Sequence, residues 1–130
     1  MIEKKTYLAE LTCPFMKGRA KISLFFLQRG EFTMAKERDF QADLIKELKQ
    51  IFIGCLVMKL DSSYIQGIPD LLVLYNNKWA TLECKKNARA SKRPNQDYYV
   101  GLMNKMSFSR FICPENKEEV LDELQQAFKS

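Results

Sequence analysis

The sequence predicts an α/β domain in which a central mixed β-sheet is flanked by helices, preceded by an N-terminal β-hairpin-like extension. Three observations carry that expectation. Apolar residues recur at helical spacing from Phe40 to Phe52, two strand-like runs flank Asn76-Asn77, and after a basic stretch the pattern returns to helix, short strand and helix. A chain of 130 residues, 46% of them hydrophobic, suits one core, expected over residues 34–130 with the extension over 1–33.

Within the extension, Lys5 to Thr12 and Lys21 to Gln28 each have strand character, separated by Cys13-Pro14-Phe15-Met16-Lys17-Gly18 and closed by Arg29-Gly30. The run Ile22 to Leu27 is too apolar to be left in water. The segment is therefore expected to cover a sheet edge or form a subunit contact. The alternative is that Met34 is the natural start, with the preceding residues loosely packed.

From Ala35, Phe40, Leu44, Ile45, Leu48 and Phe52 recur with charged residues between them, which predicts an amphipathic helix ending by Gly54. Cys55 to Leu60 reads as the first core strand, and Asp61 to Gly67 as a loop. The run Gly67 to Tyr75 is rich in Ile, Leu and Val, while Trp79 to Lys86 alternates in period two. Around the turn Asn76-Asn77-Lys78 they predict a β-hairpin. Pro94 stands where a helix can start, with Asn95 to Met106 following. Ser109 to Cys113 is a short strand. Glu115 to Phe128 is a closing helix with Val120, Leu121, Leu124 and Phe128 inward.

The hairpin carries charge in its middle. Alternation puts Trp79, Thr81, Glu83 and Lys85 on one face of the second strand, and Ala80, Leu82, Cys84 and Lys86 on the other. A charge taken out of water unpaired is costly or shifts its pKa, so something must compensate Glu83 and Lys85. Asp70 opens the first strand, and if the strands pair, its carboxylate converges on that of Glu83. Two hard oxygen ligands with open water positions suit Mg²⁺ or Mn²⁺. A lysine beside them can position or deprotonate a water, or offset charge on a phosphate. The other reading is a surface hairpin whose Glu83 and Lys85 form a solvated pair.

Composition excludes several chemistries. There is no histidine, and Cys13, Cys55, Cys84 and Cys113 are scattered without C-x-x-C spacing, which disfavours structural zinc, histidine catalysis and a Cys-His dyad. Cys84, facing away from Glu83 and Lys85, is expected to be a buried thiol. No apolar run would span a bilayer, and Met1-Ile2-Glu3-Lys4-Lys5 lacks a signal-peptide core, so a soluble intracellular protein without a membrane partner is expected. The net charge of +5 and pI near 9.0 suit a polyanionic partner. Lys85, Lys86, Arg89, Lys92 and Arg93 crowd the stretch up to Pro94 without an acid, whereas Glu115 to Ser130 holds five acids against two lysines.

From about Glu37 to Leu124, roughly two thirds of the chain, the sequence resembles the VRR-NUC and Holliday-junction-resolvase-like branch of the PD-(D/E)XK nuclease superfamily. The residues that carry the likeness are Glu37 on the first helix, Gly67-x-Pro69-Asp70, Glu83-x-Lys85, and Gln96 opening the helix after the basic stretch. The resemblance implies a restriction-endonuclease-like αβββαβ core. It also implies a metal-dependent, structure-selective DNA endonuclease, cytoplasmic in a bacterium or phage-infected host, that hydrolyses phosphodiester bonds in branched DNA such as Holliday junctions.

By the same likeness, Asp70 and Glu83 would ligate one or two Mg²⁺ or Mn²⁺ ions, with the Cys84 backbone carbonyl completing the shell and Lys85 orienting or activating water. Glu37 would hold a water or a second ion, or else is an ordinary solvated first-turn acid. Gln96 would contact phosphate or steady Lys85, or else is a plain polar residue of the helix start. Lys86, Arg89, Lys92 and Arg93 are candidates for DNA-backbone binding, a mode that reads no sequence. Tyr64, Tyr98 and Tyr99 could stack on an opened base, although core or rim packing is the expected role at these spacings.

Resolvases of this kind work as dimers, so a homodimer is expected, with Phe25, Phe26 and Leu27 as interface candidates. Two other functional classes compete. One is another kind of nuclease, either a sequence-specific restriction type, which the short chain without a recognition insert argues against, or a non-specific or nicking VRR-NUC type. The other is a non-enzymatic nucleic-acid-binding module.

Overall fold

The computed structural model describes residues 37–130, and the expectations for residues 1–33 lie outside that span. The described residues form an α/β unit with the order α1 (Glu37–Ile51), β1 (Leu56–Lys59), β2 (Leu71–Tyr75), β3 (Lys78–Cys84), α2 (Gln96–Met106), β4 (Phe108–Ile112) and α3 (Lys117–Lys129). This is the order read from the sequence. Four strands make one mixed sheet in the order β1-β2-β3-β4, antiparallel except for the parallel pair β3 and β4, which α2 connects.

Local chemistry sets the element ends. Gly54, at a φ of 91°, turns the chain out of the end of α1. The hairpin turn has two residues, since Lys78 already pairs with Tyr75, and Asn76 supplies the left-handed step at a φ of 56°. Pro94 does not open α2. Asn95 stands between, in the left-handed region at a φ of 69°, and the helix begins at Gln96.

The helices sandwich the sheet. Leu44 and Leu48 of α1, with Val120, Leu121 and Leu124 of α3, meet Leu71, Val73, Leu82 and Cys84 in one apolar cluster. Fully buried leucines such as Leu48 and Leu124 each stabilise the fold by about 1.5–3 kcal/mol. On the opposite face α2 covers β3 and β4, where Val100 is buried and Thr81 donates to the Ser109 hydroxyl at 2.8 Å. With helices on both faces, β3 is buried along its length from Ala80 to Cys84.

The strand expected over Cys55 to Leu60 as a first core strand is instead one edge of the sheet among the described residues. Leu56 is 54% exposed and Met58 39%. An apolar run reports strand character but not position in the sheet, and α2 reaches only the β3–β4 half of its face. No helix of the described residues is long and apolar enough to cross a membrane.

Candidate functional site

The site lies where the β2–β3 ladder stops. Leu71 pairs with Leu82, and the same register carried one step outward sets Asp70 opposite Glu83 and Pro69 opposite Cys84. Leu60 N–H donates to the Asp70 carbonyl at 2.8 Å, so Asp70 turns its backbone toward β1 and its side chain is free to meet β3. Pro69 has no N–H to donate. The Cys84 N–H is taken by Asp70 Oδ2 at 2.9 Å. In a strand a residue's N–H and C=O project to the same side, so the Cys84 carbonyl points toward Asp70 with no donor from Pro69 opposite it.

Glu83, 2% exposed, follows the expected alternation and lies on the α2 face with Lys85, 7% exposed. The solvated-pair reading is thereby removed. Gln96, buried at the first turn of α2, joins them. Its Nε2 donates to Glu83 Oε2 at 2.6 Å, and its Oε1 accepts from Lys85 Nζ at 2.7 Å and from the Arg93 N–H at 2.8 Å. Those partners fix the amide orientation, since one end faces a carboxylate and the other two donors. Of the roles open to Gln96, the geometry shows the one that steadies Lys85. Lys85 Nζ also donates to the Ser91 carbonyl at 3.1 Å and stands 3.8 Å from Glu83 Oε2. Nothing in the sequence signalled the Ser91 and Arg93 backbone contacts, because they depend on how the basic segment folds back.

One oxygen is left over. Glu83 Oε1 is buried and has no hydrogen-bond partner among the described residues. Burial first, then the charge of Asp70, pushes the Glu83 carboxyl up to about 8, with Glu37 adding to the rise and Lys85 and Arg93 opposing it. The ammonium at 3.8 Å does not overcome desolvation and a second carboxylate. A buried carboxyl oxygen without a donor, near Asp70 and a carbonyl that Pro69 cannot donate to, is a donor set for a hard cation. Among the described residues no three His, Cys, Asp or Glu side chains stand close enough to share one ion. Two carboxylates with waters still suit Mg²⁺ or Mn²⁺, which keep much of their hydration.

A cleft of about 430 Å³ opens onto this pair. Glu37, Asp70, Glu83, Lys85 and Gln96 all line it, as do Lys86 and Arg93 of the basic segment. Glu37 is thus brought to the cleft from α1, but it is not gathered into one shell with Asp70 and Glu83. Arg89 and Lys92 are not lining residues. Lys92 is held by Asp97 at 2.8 Å and lies 4.2 Å over the Phe111 ring. Replacing Lys86 and Arg93 together by Ala is expected to weaken binding to all DNAs alike and to flatten the salt slope by ~0.9 for each phosphate no longer neutralised. Lys92→Ala is expected to change it less, and the slope of log affinity against log salt checks both.

Cys84 behaves as expected of a buried thiol. Burial, reinforced by Asp70 and Glu83, pushes its pKa up, so it is no nucleophile at neutral pH. None of the three tyrosines is in the core. Tyr64 is 85% exposed and Tyr98 62%, the latter edge-on to half-buried Tyr99 at 5.0 Å. Gly67, at a φ of 94°, was legible as part of a motif but not for its packing. A Cβ there would lie 2.6 Å from that of Asn95, so the loop before β2 is seated directly on the start of α2. Comparison of the chain with protein families, curated proteins and solved structures returns no match.

Proposed function

We propose that this protein is a divalent-cation-dependent DNA endonuclease. The observation that carries the reading is the orphaned Glu83 Oε1, on a residue that lines one cleft together with Asp70, Lys86 and Arg93. With its pKa pushed up to about 8 the carboxyl keeps its proton at neutral pH, and ionising it in this dry place is costly unless a cation takes the charge. Asp70 and Glu83, with the Cys84 carbonyl, would hold Mg²⁺ or Mn²⁺. A bound cation of that kind supplies Lewis-acid polarisation of a phosphoryl oxygen and brings water's proton within reach of neutral pH.

The chain's own residues supply position. Gln96 and the Ser91 carbonyl hold Lys85 Nζ beside Glu83, where it can orient water and offset charge that develops on the phosphate. Lys86 and Arg93 sit where flanking phosphates would lie, and Glu37 faces the same space from α1.

The finer proposal is a homodimer that cuts branched DNA, because one domain offers one site whereas resolving a four-way junction needs two symmetric cuts. It rests on the resemblance to junction resolvases. Supercoiled plasmid and a synthetic four-way junction, incubated with Mg²⁺, Mn²⁺ or EDTA, test both levels. Cleavage is expected with either metal and is expected to vanish in EDTA and in Asp70→Ala. Full activity in EDTA removes the metal reading. A monomer by light scattering that cuts linear arms as readily as the junction removes the resolvase reading and leaves a nonspecific nuclease.

A further inference from the structure

The turn between β1 and β2 displays an aromatic ring that the proposed chemistry does not use. Tyr64 is 85% exposed, the most exposed of the large apolar side chains among the described residues. Its display is built rather than loose. Asp61 Oδ1 accepts from the Ser63 N–H at 2.8 Å and from the Ser63 hydroxyl at 2.6 Å, while the Asp61 carbonyl accepts from the Tyr64 N–H at 3.1 Å. Those bonds hold the Asp61 carboxyl below its usual range and close a tight turn with Tyr64 at its outer end.

Further along, the Ile68 N–H donates to the Ile65 carbonyl at 3.2 Å, and Gly67 packs against Asn95. The loop is therefore closed at its base by the Leu60 N–H on the Asp70 carbonyl and seated through Gly67 on the start of α2. Ser62, Gln66 and Gly67 line the same cleft as Asp70, Glu83 and Arg93. Along the chain Tyr64 falls between Ser62 and Gln66, on the loop that contributes these lining residues.

A flat ring held in water, on a loop that lines a cleft with Lys85, Lys86 and Arg93, matches one ligand surface well, the face of an unpaired nucleobase. Base faces stack on aromatics whatever the sequence, while the neighbouring phosphates are held by cations. A base inside a blunt duplex has both faces covered and cannot use the ring. We propose that Tyr64 is a stacking platform for an unpaired base next to the cleft, so that the preferred substrate is DNA with a single-stranded or splayed segment. This deepens the nuclease reading and rests on it for the cleft being the DNA site.

Equilibrium binding in EDTA, where no cleavage occurs, separates the two ideas. The probes are a labelled single-stranded oligonucleotide, a splayed-arm duplex and a blunt duplex, some carrying 2-aminopurine at the unpaired position. Tyr64→Ala is expected to weaken binding to the first two about ten-fold and to abolish the quenching of 2-aminopurine, with blunt-duplex affinity unchanged and Tyr64→Phe close to wild type. Equal loss on all three DNAs, no loss on any, or no binding of the unpaired probes by the wild type overturns the platform. Cation-dependent cleavage that persists alongside such a result leaves the nuclease reading standing. Intact stacking without cleavage in Mg²⁺ or Mn²⁺ removes that reading instead.

Discussion

Lys85→Ala is expected to lower the rate of DNA cleavage by about 10²–10³, the usual effect of removing one preorganised donor from a site of developing charge. DNA affinity is expected to stay near that of the wild type, because Lys86 and Arg93 remain at the cleft. The lysine is 7% exposed and spends its donors on Gln96 and the Ser91 carbonyl, so it is held in place rather than free to search. Its loss should not collapse the neighbourhood, since Gln96 Oε1 keeps the Arg93 N–H and Gln96 Nε2 keeps Glu83. A second readout follows from charge. Without the ammonium that lowers the Glu83 pKa, Glu83 ionises less readily, so more Mg²⁺ should be needed for half-maximal binding. Single-turnover cleavage alongside cation titration measures both, and turnover within two-fold of wild type, by roughly the tenfold-per-1.4 kcal/mol scale a negligible change, would falsify the role.

Glu83→Gln is expected to abolish cleavage and yet to stabilise the cation-free protein at alkaline pH. The Glu83 carboxyl, at an ordinary 4.5 when unfolded, is raised to about 8 by burial and by Asp70. A raised acid holds its proton more tightly in the native state. Its contribution to stability is therefore fully present below about 4.5 and is lost as pH rises through about 8. In EDTA the wild type should melt at progressively lower temperature across that window, and the glutamine variant should lack this component. Divalent cation should restore the wild type above pH 8, by binding the ionised carboxylate, and do nothing for the variant. Melting temperature against pH, with Mg²⁺ and with EDTA, checks the four curves. A wild-type curve that runs parallel to the variant's would show that Glu83 carries no buried charge to relieve.

The fold was legible where period and turn chemistry agreed. The 3.6 spacing of Leu44 and Leu48 marked α1, and the Asn76-Asn77 turn with alternation through Glu83 placed β2 against β3 in the register that opposes Asp70 to Glu83. Position within the sheet was not legible. Leu56, Val57 and Met58 are as apolar as a central strand, and only the strand order of the finished sheet reveals that among the described residues they form an edge. In the site, residue types with a fixed chemical demand could be read: two carboxylates, a lysine and a polar residue at a helix start. The contacts that seat them could not. Gly67 against Asn95, Lys85 on the Ser91 carbonyl and Asp70 on the Cys84 N–H each join segments whose meeting depends on the finished fold. Which residues of the basic stretch reach the cleft was not legible either, since Arg89 and Lys92 are close in sequence to Lys86 and Arg93 yet do not line it.

The way β3 is shared between a local hairpin and a distant parallel partner also sets a timetable. β2 and β3 meet across a two-residue turn, whereas Thr81 and Ser109 of the β3–β4 pair are 28 positions apart along the chain. Short loops close faster than long ones, so Asp70 and Glu83 are expected to face each other while still wet, before α2 arrives to desolvate them. Docking of α2, the step that takes Glu83 out of water, then meets its resistance late. In cation-free solution refolding should slow as pH rises through the Glu83 range while unfolding changes less, and added Mg²⁺ should speed the same step. The cation would act as a folding cofactor for the helix that closes its own site.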